Sequence, residues 1–549
     1  MKTIIIGGVA GGASAAARLR RLDENAEIIL MEKDEYVSYA NCGLPYYIGD
    51  TIVDQDSLTL QTPESLRRRL KLDVRTRNEV LSINREAKTV TVKNLDTDEV
   101  YEETYDKMIL APGSSAIRPR IPGVEDERIF TLRNIEDTLR MKSFIDKNEP
   151  ESAVIVGGGA IGLEMAENLF RLGIEVTVVE MLDHVIPALD IELAKVVQTY
   201  LRERGIDLVL KNGVSAIEDQ GDHLLVKLQD GELKADFVVM SVGVKPETKL
   251  AADCGLELDQ RGAIIVNDHM QTSDENIYAV GDAVAAFNFV TGARGRSVAL
   301  AGPANKQGRV AADNIGGISS TYKGTQASSV VKLFKMTVAM TGLNEKGAQD
   351  SGIDYDKTYL WPESHASYYP DATHMTMKVL FEKKTGRILG AQIVGYEGVD
   401  KRCDVLATAI RAGMTGSDLA ELELCYAPPY SSAKDPVNMA GFVIQNLVAG
   451  RFRQVFWDDV EKLKEDPDLQ IVDLRPIDAY MDGFIEGAVS IPLAQLRSRL
   501  EKLDRSKPIL LYCNMGGNSY TACCALSQLG YDCVSLAGGY QVYEPAVSE

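Results

Sequence analysis

Cysteine is scarce, with 8 in 549 residues and no Cys-x-x-Cys pair. That excludes a disulfide-built scaffold, and a zinc or dithiol centre of that spacing. Histidine is scarcer still, at 5, with none paired at metal-ligand spacing, so no metal is expected. Basic charge is in deficit: 59 Lys and Arg against 80 Asp and Glu leave a formal net charge of −21. An acidic whole disfavours nucleic acid as a partner, because phosphate backbones are held by net basic surfaces. A local basic pocket for a small anion stays open. No apolar run approaches the roughly 18 residues of a membrane span, and no low-complexity segment occurs. Strand-like Thr3-Ile4-Ile5-Ile6 follows Met1-Lys2 directly, so no secretory signal and a reducing cytoplasm are expected.

What is present is ordinary globular composition, 45% hydrophobic and 25% charged, which excludes a disordered or fibrous chain. At about 150 residues per domain, the length predicts three to four domains. Two segments repeat one plan. Residues 3–32 read strand, glycine-rich turn, helix, strand, and residues 153–180 do the same. In each, a β-branched run enters glycines, the pattern of a nucleotide-binding βαβ unit. Residues 330–445 read as a further α+β stretch. The helical pattern ends near 446–450, which predicts a linker over 446–458 and a separate α/β domain over 459–549.

The second turn, Gly157-Gly158-Gly159-Ala160-Ile161-Gly162, fits GxGxxG. The first glycine permits the tight turn, the second lets backbone approach a pyrophosphate, and the third lets helix pack on strand. Glu180 follows 23 residues after Gly157, placed to accept from a ribose 2′-hydroxyl and repel a 2′-phosphate. Met181 and Leu182 offer no cation, so NADH is favoured, with NADPH possible. The first turn, Gly7-Gly8-Val9-Ala10-Gly11-Gly12, departs from the fingerprint: Val9 stands where the middle glycine belongs. Glu32, followed by Lys33, holds its ribose-acid position.

A third element narrows the class. Ile277-Tyr278-Ala279-Val280-Gly281-Asp282 resembles the second FAD signature of two-dinucleotide-binding-domain flavoprotein reductases. Met108–Gly113 and Val239–Gly243 resemble that family's crossing segments. The resemblance implies FAD on Gly7–Gly12, Glu32, Lys33, Ala111, Gly113, Gly281, Asp282, Ala299 and Ala301, with a helix beginning near Ala299. It implies NADH on Gly157, Gly159, Gly162, Glu180 and Gly243. The implied architecture is α/β. An FAD-binding domain covers 1–111 and 245–329, an NAD(H)-binding domain 112–244, an α+β dimerisation domain 330–445, and a rhodanese-like domain 459–549.

Ser38-Tyr39-Ala40-Asn41-Cys42-Gly43-Leu44-Pro45-Tyr46 resembles the single-cysteine branch: coenzyme A disulfide reductases, with NADH oxidases and peroxidases as relatives. Tyr39 replaces the usual Phe. Cys42 precedes a predicted short helix, whose dipole and free N–H groups are expected to favour its thiolate. Tyr426-Ala427-Pro428-Pro429 and Tyr368-Tyr369-Pro370 are similar to segments whose tyrosines reach the partner subunit's cysteine in that family. Tyr426 and Tyr368 are the matching residues, with Tyr369 open as a substitute. The resemblance lays coenzyme A along Ser14, Arg18, Arg21, Ser38 and Asn41; the Arg67–Arg69 run is either a phosphate site or a solvated helix face.

Ile471-Val472-Asp473-Leu474-Arg475, the Gly483–Pro492 turn and the loop Cys513–Asn518 resemble a rhodanese, with Cys513 as the persulfide carrier. Phe484 replaces the usual His and Asn518 the usual Arg, which puts anionic donors in doubt. Cys254, Cys403, Cys425, Cys523, Cys524 and Cys533 receive no role. The whole chain resembles coenzyme A disulfide reductase–rhodanese fusions. This implies a homodimeric NADH-dependent reductase of coenzyme A persulfide, polysulfide or coenzyme A disulfide, cycling Cys42 through a mixed disulfide with coenzyme A. The alternatives are an NADH oxidase or peroxidase using a Cys42 sulfenic acid, and a flavin-containing redox sensor or sulfur carrier.

Overall fold

The structure, a computed structural model, describes residues 1–295 and 297–548. The chain divides into two compact units, one of residues 1–181 and 206–327, the other of 182–205 and 328–549.

The first unit holds two five-stranded parallel sheets. One runs in the spatial order Ile277–Ala279, Lys107–Leu110, Lys2–Ile6, Glu27–Met31, Asp73–Arg75. The other runs Asp207–Val209, Glu175–Val179, Ser152–Val156, Phe237–Met240, Ile129–Phe130. Their central strands are uninterrupted β-branched runs because both faces are covered. Ile4, Ile5, Val154 and Ile155 are buried. Each sheet carries a three-stranded antiparallel appendage: residues 78–104 on one, 214–235 on the other. The crossing segments pair with each other, Ser114–Ala116 antiparallel to Val244–Pro246. The helix Ala10–Leu22 packs on Ala301–Ile315. A Cβ on Gly308 would lie 2.3 Å from the Gly11 carbonyl oxygen, so only glycine permits this crossing.

The second unit pairs an antiparallel sheet with a parallel one. The antiparallel order is Ser329–Leu333, Met336–Gly342, Ile388–Gly395, Met375–Glu382, Tyr355–Leu360. The parallel order is Gln454–Val455, Cys533–Leu536, Ile509–Tyr512, Gln470–Asp473, Ala488–Ser490. Two boundaries differ from expectation. Residues 182–205, with the helix Ile191–Glu203, group with this unit rather than with the NAD(H)-binding segment. The expected linker 446–458 is largely ordered: the helix Pro436–Val448 runs into it, and Gln454–Val455 is the edge strand of the parallel sheet. Its two residues are too few to show a strand period.

A buried ion cluster ties this unit together. The Lys378 ammonium, with no exposed surface, lies 2.7 Å from Asp190, 2.5 Å from Glu192, and against Glu345. Tyr359 donates to Glu192 at 2.7 Å, and Lys357 lies 2.8 Å from Glu345. Desolvation by itself lowers the Lys378 pKa; the three carboxylates more than reverse it, and the group stays charged. Removing the cation leaves buried carboxylates uncompensated, a loss of about 3–5 kcal/mol. Lys378→Met is therefore expected to lower the first thermal unfolding midpoint clearly; an unchanged midpoint would show that the cluster contributes nothing net.

Candidate active site

The two glycine-rich turns share a geometry. Gly7 and Gly157 have φ of +100° and +112°, conformations that β-carbon-bearing residues avoid. A Cβ on Gly12 would lie 1.9 Å from the Gly7 carbonyl oxygen, and one on Gly162 would lie 2.1 Å from that of Gly157. The middle position is different. Gly159 has φ −74° and nothing within 4 Å of a Cβ, and Val9 sits at φ −97°. The fold therefore does not require glycine in the middle, which explains how Val9 is accommodated. Behind each turn stands the ribose acid: Glu32 accepts from the Gly8 amide at 2.8 Å, and Glu180 from Gly158 at 2.7 Å. Burial pushes the Glu32 carboxyl up.

Two cavities open at the first turn. The larger, about 600 Å³, is lined by Gly7, Val9, Glu32, Lys33, Asn41, Ala111 and Gly113 among others. The smaller, about 210 Å³, is lined by Val9, Ala10, Gly11, Asn41, Cys42, Ala111, Gly113, Gly281, Asp282, Ala299 and Ala301. Most of the FAD set and the cysteine thus share one wall. Ala299 precedes the helix, which begins at Ala301. Gly8, Gly12, Ser14, Arg18, Arg21 and Ser38 line neither cavity. Arg18 is committed elsewhere, 2.6 Å from Asp313, and Ser14 donates to Asn305 at 2.8 Å. Arg21 is exposed one turn beyond Arg18, and Ser38, in the left-handed region, donates its amide to the Gly8 carbonyl.

Three residues of this wall are invisible to motif reading. The Asp282 carboxylate accepts from Ser114 at 2.9 Å and lies 3.2 Å from Arg133, which also donates to the Ser114 carbonyl. Asn41 donates to the Arg133 carbonyl. Glu164, on the helix Ala160–Arg171, lines the smaller cavity with Cys42. Burial pushes its carboxyl up to about 7. Tyr46 donates to it at 3.3 Å and is itself pushed up to about 12 by desolvation and this carboxylate. The expected stabilisation of the Cys42 thiolate is not found. Desolvation in the crevice, then the Glu164 charge, pushes the thiol up. The following helix, Leu44–Ile48, has five residues and supplies too small a dipole to offset them.

In the second unit Tyr368 and Tyr426 meet, their hydroxyls 2.7 Å apart and both rings exposed. The hydrogen bond raises the Tyr368 phenol. Tyr369 packs edge-on to His365. Both tyrosine segments hang on Arg402, which is 1% exposed. Its guanidinium donates to the Ser364 carbonyl at 2.9 Å and to Ser431 and Asp435 at 3.1 Å.

Cys513 is buried at the end of the strand Ile509–Tyr512. Its sulfur accepts the Gly516 amide at 3.1 Å and the Ser519 amide at 3.3 Å. The helix Gly517–Gln528 begins there, so N–H groups converge on the sulfur. Asp473 and Arg475 form a buried fork at 2.7 Å, and the guanidinium covers the Tyr540 ring. Phe484 stacks on Tyr480, and Asn518 is exposed.

Comparison with known proteins gives three family matches. Residues 1–308 match the pyridine nucleotide-disulphide oxidoreductases, 328–436 their dimerisation domain, and 456–546 the rhodanese-like domain. Coenzyme A disulfide reductase of Staphylococcus haemolyticus is 37% identical over 448 residues, 81% of this chain and all of that protein. The structure of reduced Bacillus anthracis CoADR-RHD matches at TM-score 0.97 and 47% identity, covering 100% of this chain and 98% of that one. A NAD-dependent persulfide reductase from A. fulgidus matches at 0.92 and 38%, covering 99% and 100%. No helix among the described residues is long and apolar enough to cross a membrane.

Because Glu164 disfavours the thiolate, Glu164→Gln is expected to move the pH midpoint of Cys42 alkylation down. The wild-type midpoint should lie above that of an ordinary thiol. An unmoved midpoint in the variant would show that Glu164 does not act on Cys42.

Proposed function

The chain belongs to the pyridine nucleotide-disulphide oxidoreductase family, and on that footing we propose that it is a reductase of coenzyme A persulfide, polysulfide or coenzyme A disulfide that draws its electrons from NADH. The observation that carries this reading is the shared cavity wall: Cys42 lies beside the glycine-rich turn, Gly281 and Asp282. These residues fit FAD. The turn leaves no room for Cβ atoms at Gly7 and Gly12, and Glu32 and Asp282 are fixed acceptors for ribose and ribitol hydroxyls. When bound, FAD supplies the two-electron link between NADH and sulfur. Glu180, directly after the strand Glu175–Val179, selects a free 2′-hydroxyl.

Cys42 is the nucleophile. Its thiolate attacks the inner sulfur of coenzyme A persulfide, a Cys42–coenzyme A disulfide forms, and hydrosulfide leaves with the outer sulfur. With coenzyme A disulfide the leaving group is coenzyme A thiolate. One cysteine suffices because coenzyme A supplies the second sulfur. Within the partner subunit's Tyr426 and Tyr368 pair one hydroxyl donates to the leaving sulfur and the other donates to that hydroxyl, an arrangement their hydrogen bond preorganises. Ser14, Arg18, Arg21, Ser38 and Asn41 remain the proposed path of coenzyme A, with Arg18 supplying charge only by giving up Asp313. Cys513 carries sulfane sulfur. The Gly516 and Ser519 amides that donate to its sulfur also suit a persulfide, and they do not need the arginine that Asn518 replaces.

The test is anaerobic NADH oxidation with coenzyme A persulfide and with coenzyme A disulfide. Persulfide is expected to turn over faster, and Cys42→Ser to lose both activities by at least about a thousandfold. Persistent turnover without Cys42 contradicts the mechanism. Glu180→Ala is expected to narrow the NADH-to-NADPH preference by about tenfold or more, measured as the ratio of kcat/KM values. An unchanged ratio removes Glu180 from the ribose site.

A further inference from the structure

We propose that Cys523 and Cys533 form a reversible disulfide when the protein meets a two-electron thiol oxidant, and that this bond alters the Cys513 loop. The two sulfurs lie 3.5 Å apart inside the rhodanese-like domain, with 0% and 2% of the residues exposed. Nothing in the proposed mechanism uses them. Cys523 is on the helix Gly517–Gln528, and Cys533 opens the strand Cys533–Leu536. Bringing the sulfurs to bonding distance, roughly 2.05 Å, asks for a closure of about 1.5 Å.

The surroundings assign the two thiols different parts. The Cys533 sulfur also faces the Ser527 hydroxyl at 3.3 Å. Arg453 donates to the Cys533 carbonyl and pairs with Asp532. The hydrogen bond shared by the two sulfurs, in which either can donate, favours the thiolate of the acceptor and disfavours that of the donor. The Ser527 hydroxyl beside its sulfur makes Cys533 the attacking thiolate and Cys523 the resolving thiol. With peroxide, Cys533 becomes a sulfenic acid as hydroxide leaves. Cys523 then attacks that sulfur and water departs. With a persulfide, Cys533 takes the outer sulfur and a thiol leaves; Cys523 then attacks the Cys533 sulfur and hydrosulfide departs. In both cases the two thiols lose two electrons and two protons to the oxidant. Their burial makes access depend on local opening of the helix end.

The consequence reaches Cys513 through one element. The same helix supplies the Ser519 amide to the Cys513 sulfur, and Ser535, two residues beyond Cys533, donates to the Ser519 hydroxyl at 2.9 Å. A bond between Cys523 and Cys533 draws this helix toward that strand and disturbs the cradle.

The experiment treats the full-length holoenzyme with hydrogen peroxide in one arm and sodium tetrasulfide in the other, alkylates it under denaturing conditions, and maps peptides by mass. A Cys523–Cys533 linked peptide that disappears with dithiothreitol is expected. The arm in which it forms identifies the oxidant class. Recovery of both cysteines separately alkylated in both arms overturns the proposal. For the coupling, iodoacetamide labelling of native Cys513 is expected to change several-fold on oxidation in the wild type, and not in Cys523→Ala. Equal labelling before and after oxidation, with the disulfide present, overturns the link to Cys513.

Discussion

The close approach of backbone to backbone at the two glycine-rich turns is the constraint on which the reductase half depends. At Gly7 and Gly157 the chain turns through a left-handed conformation directly against the carbonyls of Ala111 and Ser241. At Gly12 and Gly162 the following helix touches the turn it leaves. No side chain fits at these four positions, so the turn backbone packs directly on its neighbours. Glu32 and Glu180 then fix the turns from behind through the Gly8 and Gly158 amides. One acid thus braces each turn, and the second oxygen of Glu32 also accepts from the Asp34 amide. The arrangement occurs twice in one unit, and it is what permits two nucleotides to be handled by one chain.

Sulfur chemistry is laid on this frame by opposite means at its two cysteines. Cys513 sits at the start of a twelve-residue helix with two amides on its sulfur. Cys42 precedes a five-residue helix and shares its cavity with a half-buried carboxylate. The first environment suits holding an anionic sulfur; the second raises the cost of an idle thiolate. The tyrosine pair depends on a different interaction, the buried Arg402 fork that secures both of its segments.

Legibility in the sequence followed the range of each interaction. Local patterns carried the fold: β-branched runs entering glycines located both parallel sheets, and the Asp473-Leu474-Arg475 and Cys513–Asn518 segments located the third. The Tyr368 and Tyr426 positions were readable only by resemblance, because their meeting joins residues 58 apart. Arg402, Glu164 and the Ser114–Arg133–Asp282 contacts left no sequence signal, since each is a lone charged or polar residue whose partner is set by tertiary packing. The Cys42 environment was misjudged for the same reason: a helix start is visible in sequence, whereas a carboxylate from a helix more than a hundred residues away is not. The edge strand Gln454–Val455 was missed because its pairing lies with Ser535 and Leu536, far along the chain.

The central claim is that Cys42 completes its cycle with coenzyme A as the second sulfur. The most direct measurement is the mass of the Cys42 peptide after anaerobic mixing of the holoenzyme with coenzyme A persulfide, acid quench and digestion without reductant. The account predicts a coenzyme A adduct on Cys42 that is released by dithiothreitol and vanishes when NADH is added in excess. A Cys42 peptide that carries no coenzyme A while turnover proceeds, or that is trapped only as a sulfenic acid by dimedone in air, would contradict it.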